Sequence, residues 1–183
     1  MRNPHREPRV DVAARARAIP AAVLIPIVVR EPGLGVLLTR RHEQISHPGH
    51  ICFPGGRWDP EDADAEGAAL REAQEEIALQ PSDVRVIGRL GEYFTHSGFC
   101  IHPVVGLIDP LLGLAPRAGE VEEILEVPLD YLLDSETYRL RAVGSSEERA
   151  HYFVEHRGAY IAGPTVSLLM GFYEELLWSH PPV

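Results

Sequence analysis

The sequence has few cysteines, no long hydrophobic run and no excess of basic residues, and each lack excludes a class of protein. Its two cysteines, Cys52 and Cys100, cannot build a disulfide framework or a zinc-type cysteine pair. The longest apolar stretch, residues 21–29, contains Pro26 and is far shorter than the roughly 18–20 residues of a spanning helix. Seventeen basic against 27 acidic residues give a net charge of −10, which disfavours a nucleic-acid scaffold.

What the chain does contain is typical of a globular domain. Its 183 residues fit one domain, and 45% hydrophobic with 24% charged residues are ordinary values. We expect residues 1–20, which are polar and rich in arginine and proline, to form an N-terminal arm, and residues 21–183 to form the domain. Because the arm shows no signal-peptide pattern, we expect a cytoplasmic location.

The hydrophobic pattern predicts a mixed α/β domain. Helices are predicted over residues 65–79, 128–133 and 165–178. The segment 42–58 is dense in glycine, proline and histidine and predicts an ordered loop. Strands are predicted over residues 21–29, 35–39, 84–90, 92–95, 101–108, 122–127, 138–143 and 151–155.

Three glutamates on the predicted helix 65–79 carry the chemical signal. At about 100° per residue, Glu72, Glu75 and Glu76 fall within one sector of the helix, where their charges repel each other. A divalent cation removes that penalty, since Mg²⁺ and Mn²⁺ prefer oxygen ligands. A solvated acidic face is the alternative, and for an isolated pattern it is the more frequent one. The preceding Gly55-Gly56 turn, which lets the backbone approach a ligand closely, favours a metal-diphosphate site.

Residues 56–79 resemble the Nudix box, whose usual form is Gly-x5-Glu-x7-Arg-Glu-U-x-Glu-Glu-x-Gly-U, with U an aliphatic residue. The Arg-Glu-x-x-Glu-Glu core, which begins at Arg71, is intact. Asp62 replaces the first Glu, eight residues rather than seven precede Arg71, and Ala78 replaces the second Gly. The resemblance implies a Nudix-type α/β/α sandwich with a mixed sheet flanked by helices, and a hydrolase of nucleoside diphosphates linked to another moiety.

Segments outside the box are similar to the coenzyme A diphosphatase subfamily, and the resemblance covers residues 21–177. Residues 37–41 (LLTRR) and 49–56 (GHICFPGG) match both ends of its upstream motif. His42 replaces Ser/Ala, an arginine of that motif is absent, and Ala162 replaces a tryptophan. The resemblance implies hydrolysis of coenzyme A or acyl-coenzyme A to 3′,5′-ADP and (acyl-)4′-phosphopantetheine. Two alternatives stay open: another substrate such as ADP-ribose or a dinucleotide polyphosphate, or an inactive nucleotide-binding module.

The same resemblance implies roles for individual residues. Mg²⁺ or Mn²⁺ would be held by Glu72, Glu75 and Glu76, with the Gly55 carbonyl as a further ligand. Either Glu72 or Glu120 would act as general base. Arg71 lies one helical turn before Glu75, so a salt bridge is expected to orient that carboxylate.

Substrate contacts are expected from the glycine turn and from two basic positions. Arg41, Gly55, Gly56 and His96 are the candidate substrate-binding residues. The expected partner is a small nucleoside diphosphate, coenzyme A by resemblance, with neither nucleic acid nor membrane, and a homodimer is left open. A zinc site at His47 and His50 is disfavoured, because no cysteine or carboxylate stands at ligand spacing.

Overall fold

The protein's structure, a computed structural model, describes residues 12–111, 113–143 and 146–179. Within these ranges the strands form an eight-stranded sheet, in the order β3-β2-β1-β7-β5 with β4 on β1, β6 on β7 and β8 on β2, and a three-stranded sheet β11-β10-β9. The strands are β1 Ile19–Val29, β2 Leu34–Arg41, β3 Ile51–Cys52, β4 Gly55–Arg57, β5 Arg85–Arg89, β6 Tyr93–Phe94, β7 Phe99–Ile108, β8 Val121–Pro128, β9 Arg139–Val143, β10 Ser146–His156 and β11 Ala159–Ala162. The helices are α1 Val12–Arg17, α2 Ala65–Ile77, α3 Leu129–Leu133 and α4 Pro164–Ser179.

Strand β1 lies in the middle of the large sheet. It runs parallel to β7 over ten paired residues and antiparallel to β2 and β4. Its side chains alternate between the two cores, with Ala22 and Leu24 on one face and Ile25 and Ile27 on the other. Burial on both faces explains why this strand is a continuous apolar run in the sequence.

The two faces of the large sheet are covered by different elements. Helix α2 packs its alanines and Ile77 on one face. Helices α3 and α4 and the small sheet cover the other face. The mixed sheet flanked by helices confirms the predicted fold class.

Several predicted elements differ from the structure in extent or kind. The segment 42–58 is not all loop, because β3 pairs with Thr39 and Arg40 while β4 pairs with residues 21–23. Strand β11 was not predicted, because it has only four residues and follows directly on a tight turn at Arg157-Gly158. Residues 1–11 of the proposed arm, and residues 144–145 between the predicted strands 138–143 and 151–155, lie outside the described residues. Strand β1 begins at Ile19, and the boundary between residues 20 and 21 stays a proposal.

No helix within the described ranges is long and apolar enough to span a bilayer.

Helix α2 ends on Ala78, at the position where the Nudix box usually has glycine. Ala78 adopts the left-handed conformation, with φ 58° and ψ 21°, and its N–H donates to the Gln74 carbonyl. A side chain is disfavoured in this region by roughly 1–2 kcal/mol, whereas glycine adopts it freely. We therefore expect Ala78→Gly to raise the free energy of unfolding by about 1 kcal/mol. Urea denaturation would measure this, and an equal or lower stability would contradict it.

Candidate functional site

The start of helix α2 fixes where its carboxylates lie. Asp64 caps the helix by accepting a hydrogen bond from the Gly67 N–H at 2.9 Å. Small side chains at Ala65, Ala68, Ala69 and Ala73 let the helix pack closely on the sheet. That close packing holds the acidic side of α2 against the Gly55-Gly56 turn in β4, as the glycine spacing predicted.

Glu76 is a buried carboxylate, with only 9% of its surface exposed. The Gly55 N–H donates to its Oε2 at 3.2 Å. Burial is the main reason that the pKa of Glu76 rises to about 7, and the charge of Glu72 adds to the rise. The sequence predicted an acidic helix face that includes Glu76. It did not predict the burial of Glu76, which the structure places among the buried residues of α2 beside Ala73 and Ile77.

Glu72 lies directly over the backbone of Gly56. A Cβ atom at position 56 would stand 2.5 Å from the Glu72 carboxyl carbon, so any other residue there would displace the Glu72 carboxylate. Burial raises the pKa of Glu72, and the neighbouring Arg71 charge opposes the rise. The glycine turn and the helix carboxylate therefore form one packed unit.

Arg71 organises the acidic side chains around it. It binds Asp62 through two hydrogen bonds, from Nε to Oδ1 at 2.9 Å and from Nη2 to Oδ2 at 3.0 Å. Its Nη1 donates to Glu72 at 3.1 Å and to Glu75 at 3.3 Å. The hydrogen bonds from Arg71 to Asp62 hold the pKa of Asp62 below its ordinary value. The expected Arg71–Glu75 salt bridge is present, and the aspartate that departs from the Nudix box is its strongest partner.

Arg117 joins Glu75 to Glu120. Its Nη1 lies 3.5 Å from Glu75 Oε2 and 3.3 Å from Glu120 Oε2. The segment before β8 is anchored on the carboxyl end of α2, because the Arg117 N–H donates to the Glu76 carbonyl at 2.8 Å. Glu120, 44 residues from Glu76 in the sequence, thus lies beside the helix carboxylates.

The residues present fit a divalent cation. Glu72 and Glu75 share Arg71, Glu75 and Glu120 share Arg117, and the charges of Glu72 and Glu120 both act on Glu76, so the four carboxylates are neighbours. Carboxylate oxygens are the ligands that Mg²⁺ and Mn²⁺ prefer. The Gly55 group seen in contact with a carboxylate is its N–H, and a metal contact by its carbonyl stays a prediction.

Arg41 lies at the end of β2, on the loop that leads to the glycine turn. Its Nε donates to the Ser46 carbonyl at 2.9 Å, which holds the loop. Its charge acts on Glu76, where it opposes the rise in pKa. Arg41 is therefore near the carboxylates. Its contact with Ser46 uses Nε and leaves out the two terminal guanidinium nitrogens.

The candidate histidines lie elsewhere. His96 is exposed in the turn between β6 and β7, and among the described residues no hydrogen bond or ion pair joins it to the acidic cluster. Its role in substrate binding stays a prediction. The His47 and His50 rings are 5.3 Å apart, and within the described residues no third ligand completes a metal set with them.

A stability test distinguishes a buried functional carboxylate from an ordinary acidic face. The pKa of Glu76 is about 7 in the folded protein against an ordinary 4.5, so its ionisation costs stability as pH rises through this interval. In metal-free protein we expect the free energy of unfolding of Glu76→Gln to exceed that of the wild type by up to about 3 kcal/mol at about pH 8. At about pH 4 we expect no such gain. Denaturant unfolding at both pH values, in chelator, measures the difference. A destabilised variant at high pH would contradict it.

Comparisons with known proteins identify the family of this chain. The profile of the NUDIX domain matches residues 19–151. Peroxisomal coenzyme A diphosphatase NUDT7 of Mus musculus is 40% identical over 126 residues, which are 68% of this chain and 53% of that protein. An uncharacterized Nudix hydrolase, NudL of Photorhabdus laumondii, is 37% identical over 151 residues, 81% of this chain and 80% of that protein. The chain spans about half the length of the mouse relative.

Solved structures share the fold at low sequence identity. A Nudix hydrolase of M. smegmatis, RenU, superposes with a TM-score of 0.60 at 19% identity and covers 91% of this chain and 89% of that one. The NUDIX domain of Shewanella oneidensis NrtR, complexed with ADP ribose, gives a TM-score of 0.56 at 17% identity and covers 92% and 94%. Fold, box and family profile agree, and the chain belongs to the Nudix family.

Proposed function

We propose that this protein is a metal-dependent diphosphatase that cleaves coenzyme A or acyl-coenzyme A into 3′,5′-ADP and (acyl-)4′-phosphopantetheine. The observation that carries the proposal is the packed unit of the Gly55-Gly56 turn and the α2 glutamates. The similarity to a mouse coenzyme A diphosphatase supports the choice of substrate.

Each residue of the site has a part in the proposed reaction. Glu72, Glu75 and Glu76 hold Mg²⁺ or Mn²⁺, which when bound neutralises diphosphate charge and lowers the pKa of a water nucleophile. Arg71 orients Glu72 and Glu75. Gly56 leaves room for the Glu72 carboxylate, and a glycine turn lets the backbone approach substrate phosphates closely.

Two carboxylates fit the role of general base. Glu72 is half-buried against Gly56, while Glu120 enters from the segment before β8. Arg117 keeps Glu120 beside Glu75, and the charges of Glu72 and Glu120 both act on Glu76. Either could take the proton of the attacking water.

Arg41 is the proposed discriminator between substrates. Arginine binds phosphate through paired hydrogen bonds, and coenzyme A carries a 3′-phosphate that dephospho-coenzyme A and ADP-ribose lack. We expect kcat/KM for dephospho-coenzyme A to be lower by about tenfold or more, because a charge-assisted contact of ~1.5–3 kcal/mol is lost. Arg41→Ala should make kcat/KM similar for coenzyme A and dephospho-coenzyme A. Arg85→Ala, which removes an exposed arginine of β5, should preserve the difference in kcat/KM.

The measurement is kcat/KM for the three compounds under one metal condition. A preference for ADP-ribose would refute coenzyme A as substrate and leave a Nudix hydrolase of another diphosphate. If no compound in a wide diphosphate panel is cleaved, the chain is a nucleotide-binding module. The cytoplasmic location, the arm at residues 1–20 and a homodimer stay predictions.

A further inference from the structure

Glu92, Cys100 and His102 form a cluster of metal-ligating side chains outside the proposed diphosphatase site. Their donor atoms all lie within 4.8 Å of one another. Cys100 Sγ is 3.7 Å from His102 Nε2, and His102 Nδ1 is 3.9 Å from Glu92 Oε1. We name these three residues the Cys100 cluster.

The sheet itself brings the Cys100 cluster together. Cys100 and His102 are two residues apart on β7, so their side chains share one face of the sheet. Tyr93 of β6 pairs with Ile101, and the same register places Glu92 across from His102. Strand β7 thus fixes Cys100 and His102, and Glu92, which immediately precedes β6, is held next to them by the pairing of Tyr93.

The donor set and its spacing fit zinc. Zinc binds cysteine sulfur at about 2.3 Å and histidine nitrogen or carboxylate oxygen at about 2.0–2.2 Å, which places tetrahedral ligands about 3.3–3.8 Å apart. The separation of Cys100 Sγ and His102 Nε2, 3.7 Å, falls in this range, and one donor atom from each of the three residues lies within 4.8 Å of the other two. The 3.9 Å contact of Glu92 is with the other ring nitrogen, His102 Nδ1, and so is not a separation between two ligands of the same ion. A thiol with an imidazole suits zinc and cobalt better than Mg²⁺, which prefers oxygen alone.

We propose that Glu92, Cys100 and His102 bind Zn²⁺ as three protein ligands, in a second metal site distinct from the α2 carboxylates. With a thiolate and a carboxylate as ligands, the site balances the charge of the ion. The fourth tetrahedral position is open to water or to an exchangeable ligand.

The same three groups could in principle act as a thiol nucleophile with its base, and the surroundings of Cys100 oppose that. The residue is 8% exposed. Burial and then the charge of Glu92 raise the pKa of its thiol to about 11, so without a metal it stays protonated. A bound cation is what makes a thiolate stable beside a carboxylate.

Trp58 provides a reporter for the site. Its ring meets the His102 ring edge-on, with centroids 5.4 Å apart and an interplanar angle of 89°. The Trp58 indole N–H also donates to the Asp62 carbonyl at 3.4 Å, in the loop whose Asp62 carboxylate binds Arg71. A paramagnetic ion on His102 should therefore quench Trp58 fluorescence.

The test is titration of the full chain with Co²⁺ in excess Mg²⁺, which keeps the α2 carboxylates occupied. We expect a thiolate-to-cobalt charge-transfer band and quenching of Trp58, both reversed by Zn²⁺. Cys100→Ser should abolish the band, and His102→Gln should weaken binding at least about 100-fold, beyond the usual loss for an outer partner. Cys52→Ser, which alters the other cysteine, is the matched control and should keep the band.

Circular dichroism of each variant ensures that a lost band reflects a lost ligand. Trp58→Phe should remove the fluorescence response and keep the absorption band, which ties the signal to this site. The proposal is overturned if the wild type shows no band, if Cys100→Ser shows an equal band, or if folded His102→Gln binds Co²⁺ as tightly as the wild type. These readouts do not depend on hydrolysis, so they stand apart from the proposed diphosphatase activity.

Discussion

Replacing Glu76 with glutamine is expected to lower kcat/KM for coenzyme A at least about 100-fold. The substitution keeps the shape of the side chain and its contact with the Gly55 N–H, but it removes the charge of a proposed metal ligand. Loss of charge stabilisation in the transition state is worth several kcal/mol. Steady-state kinetics at saturating Mg²⁺ measures the effect.

Glu66→Gln is the matched control for that variant. Glu66 lies in the first turn of the same helix, outside the proposed site, and loses the same charge. We expect its kcat/KM to remain within a few-fold of the wild type. A Glu76→Gln enzyme as active as Glu66→Gln would remove Glu76 from the account of metal binding.

Replacing Arg71 with alanine is expected to lower the free energy of unfolding by about 3 kcal/mol. Asp62 has a side chain only 7% exposed and would lose both of its hydrogen bonds to the guanidinium. Glu72 and Glu75 would lose their common partner and repel each other more strongly. Denaturant unfolding in chelator separates this effect from any change in metal binding.

Two further variants identify the cause of that loss. Arg71→Ala combined with Asp62→Asn should recover part of the stability, because no unpaired buried charge remains. Arg85→Ala removes an exposed arginine of β5 and should change stability by no more than about 0.5 kcal/mol. If Arg71→Ala is as mild as Arg85→Ala, the Asp62–Arg71 pair contributes little to the fold.

The sequence predicted what depends on local spacing. Glu72 and Glu76 both contact the Gly55-Gly56 turn, because a helix fixes the direction of side chains a turn apart. The Arg71–Glu75 pair follows from the same geometry. The central strand was predictable too, since burial on both faces leaves a continuous apolar run at Ile19–Val29.

Contacts between distant segments were not predictable in this way. Arg117 reaches Glu75 and Glu120 only because the segment before β8 is anchored on the end of α2, and nothing in its surroundings in the sequence signals that. The sequence did offer one signal for the Arg71–Asp62 pair, because Asp62 occupies the position of the first Glu of the Nudix box. The Cys100 cluster depends on the pairing of β6 with β7, which brings Glu92 to a Cys-x-His pattern too short to be specific.

The most direct test of the central claim is to identify the products of a coenzyme A digest by mass spectrometry. Wild-type protein with Mg²⁺ or Mn²⁺ should yield 3′,5′-ADP and 4′-phosphopantetheine in equal amounts, and the Glu76→Gln protein or added chelator should leave coenzyme A intact. Cleavage at the diphosphate alone would match the arrangement of the α2 glutamates around the Gly55-Gly56 turn. Intact coenzyme A in every sample, or release of only the 3′-phosphate to give dephospho-coenzyme A, would contradict the proposed function.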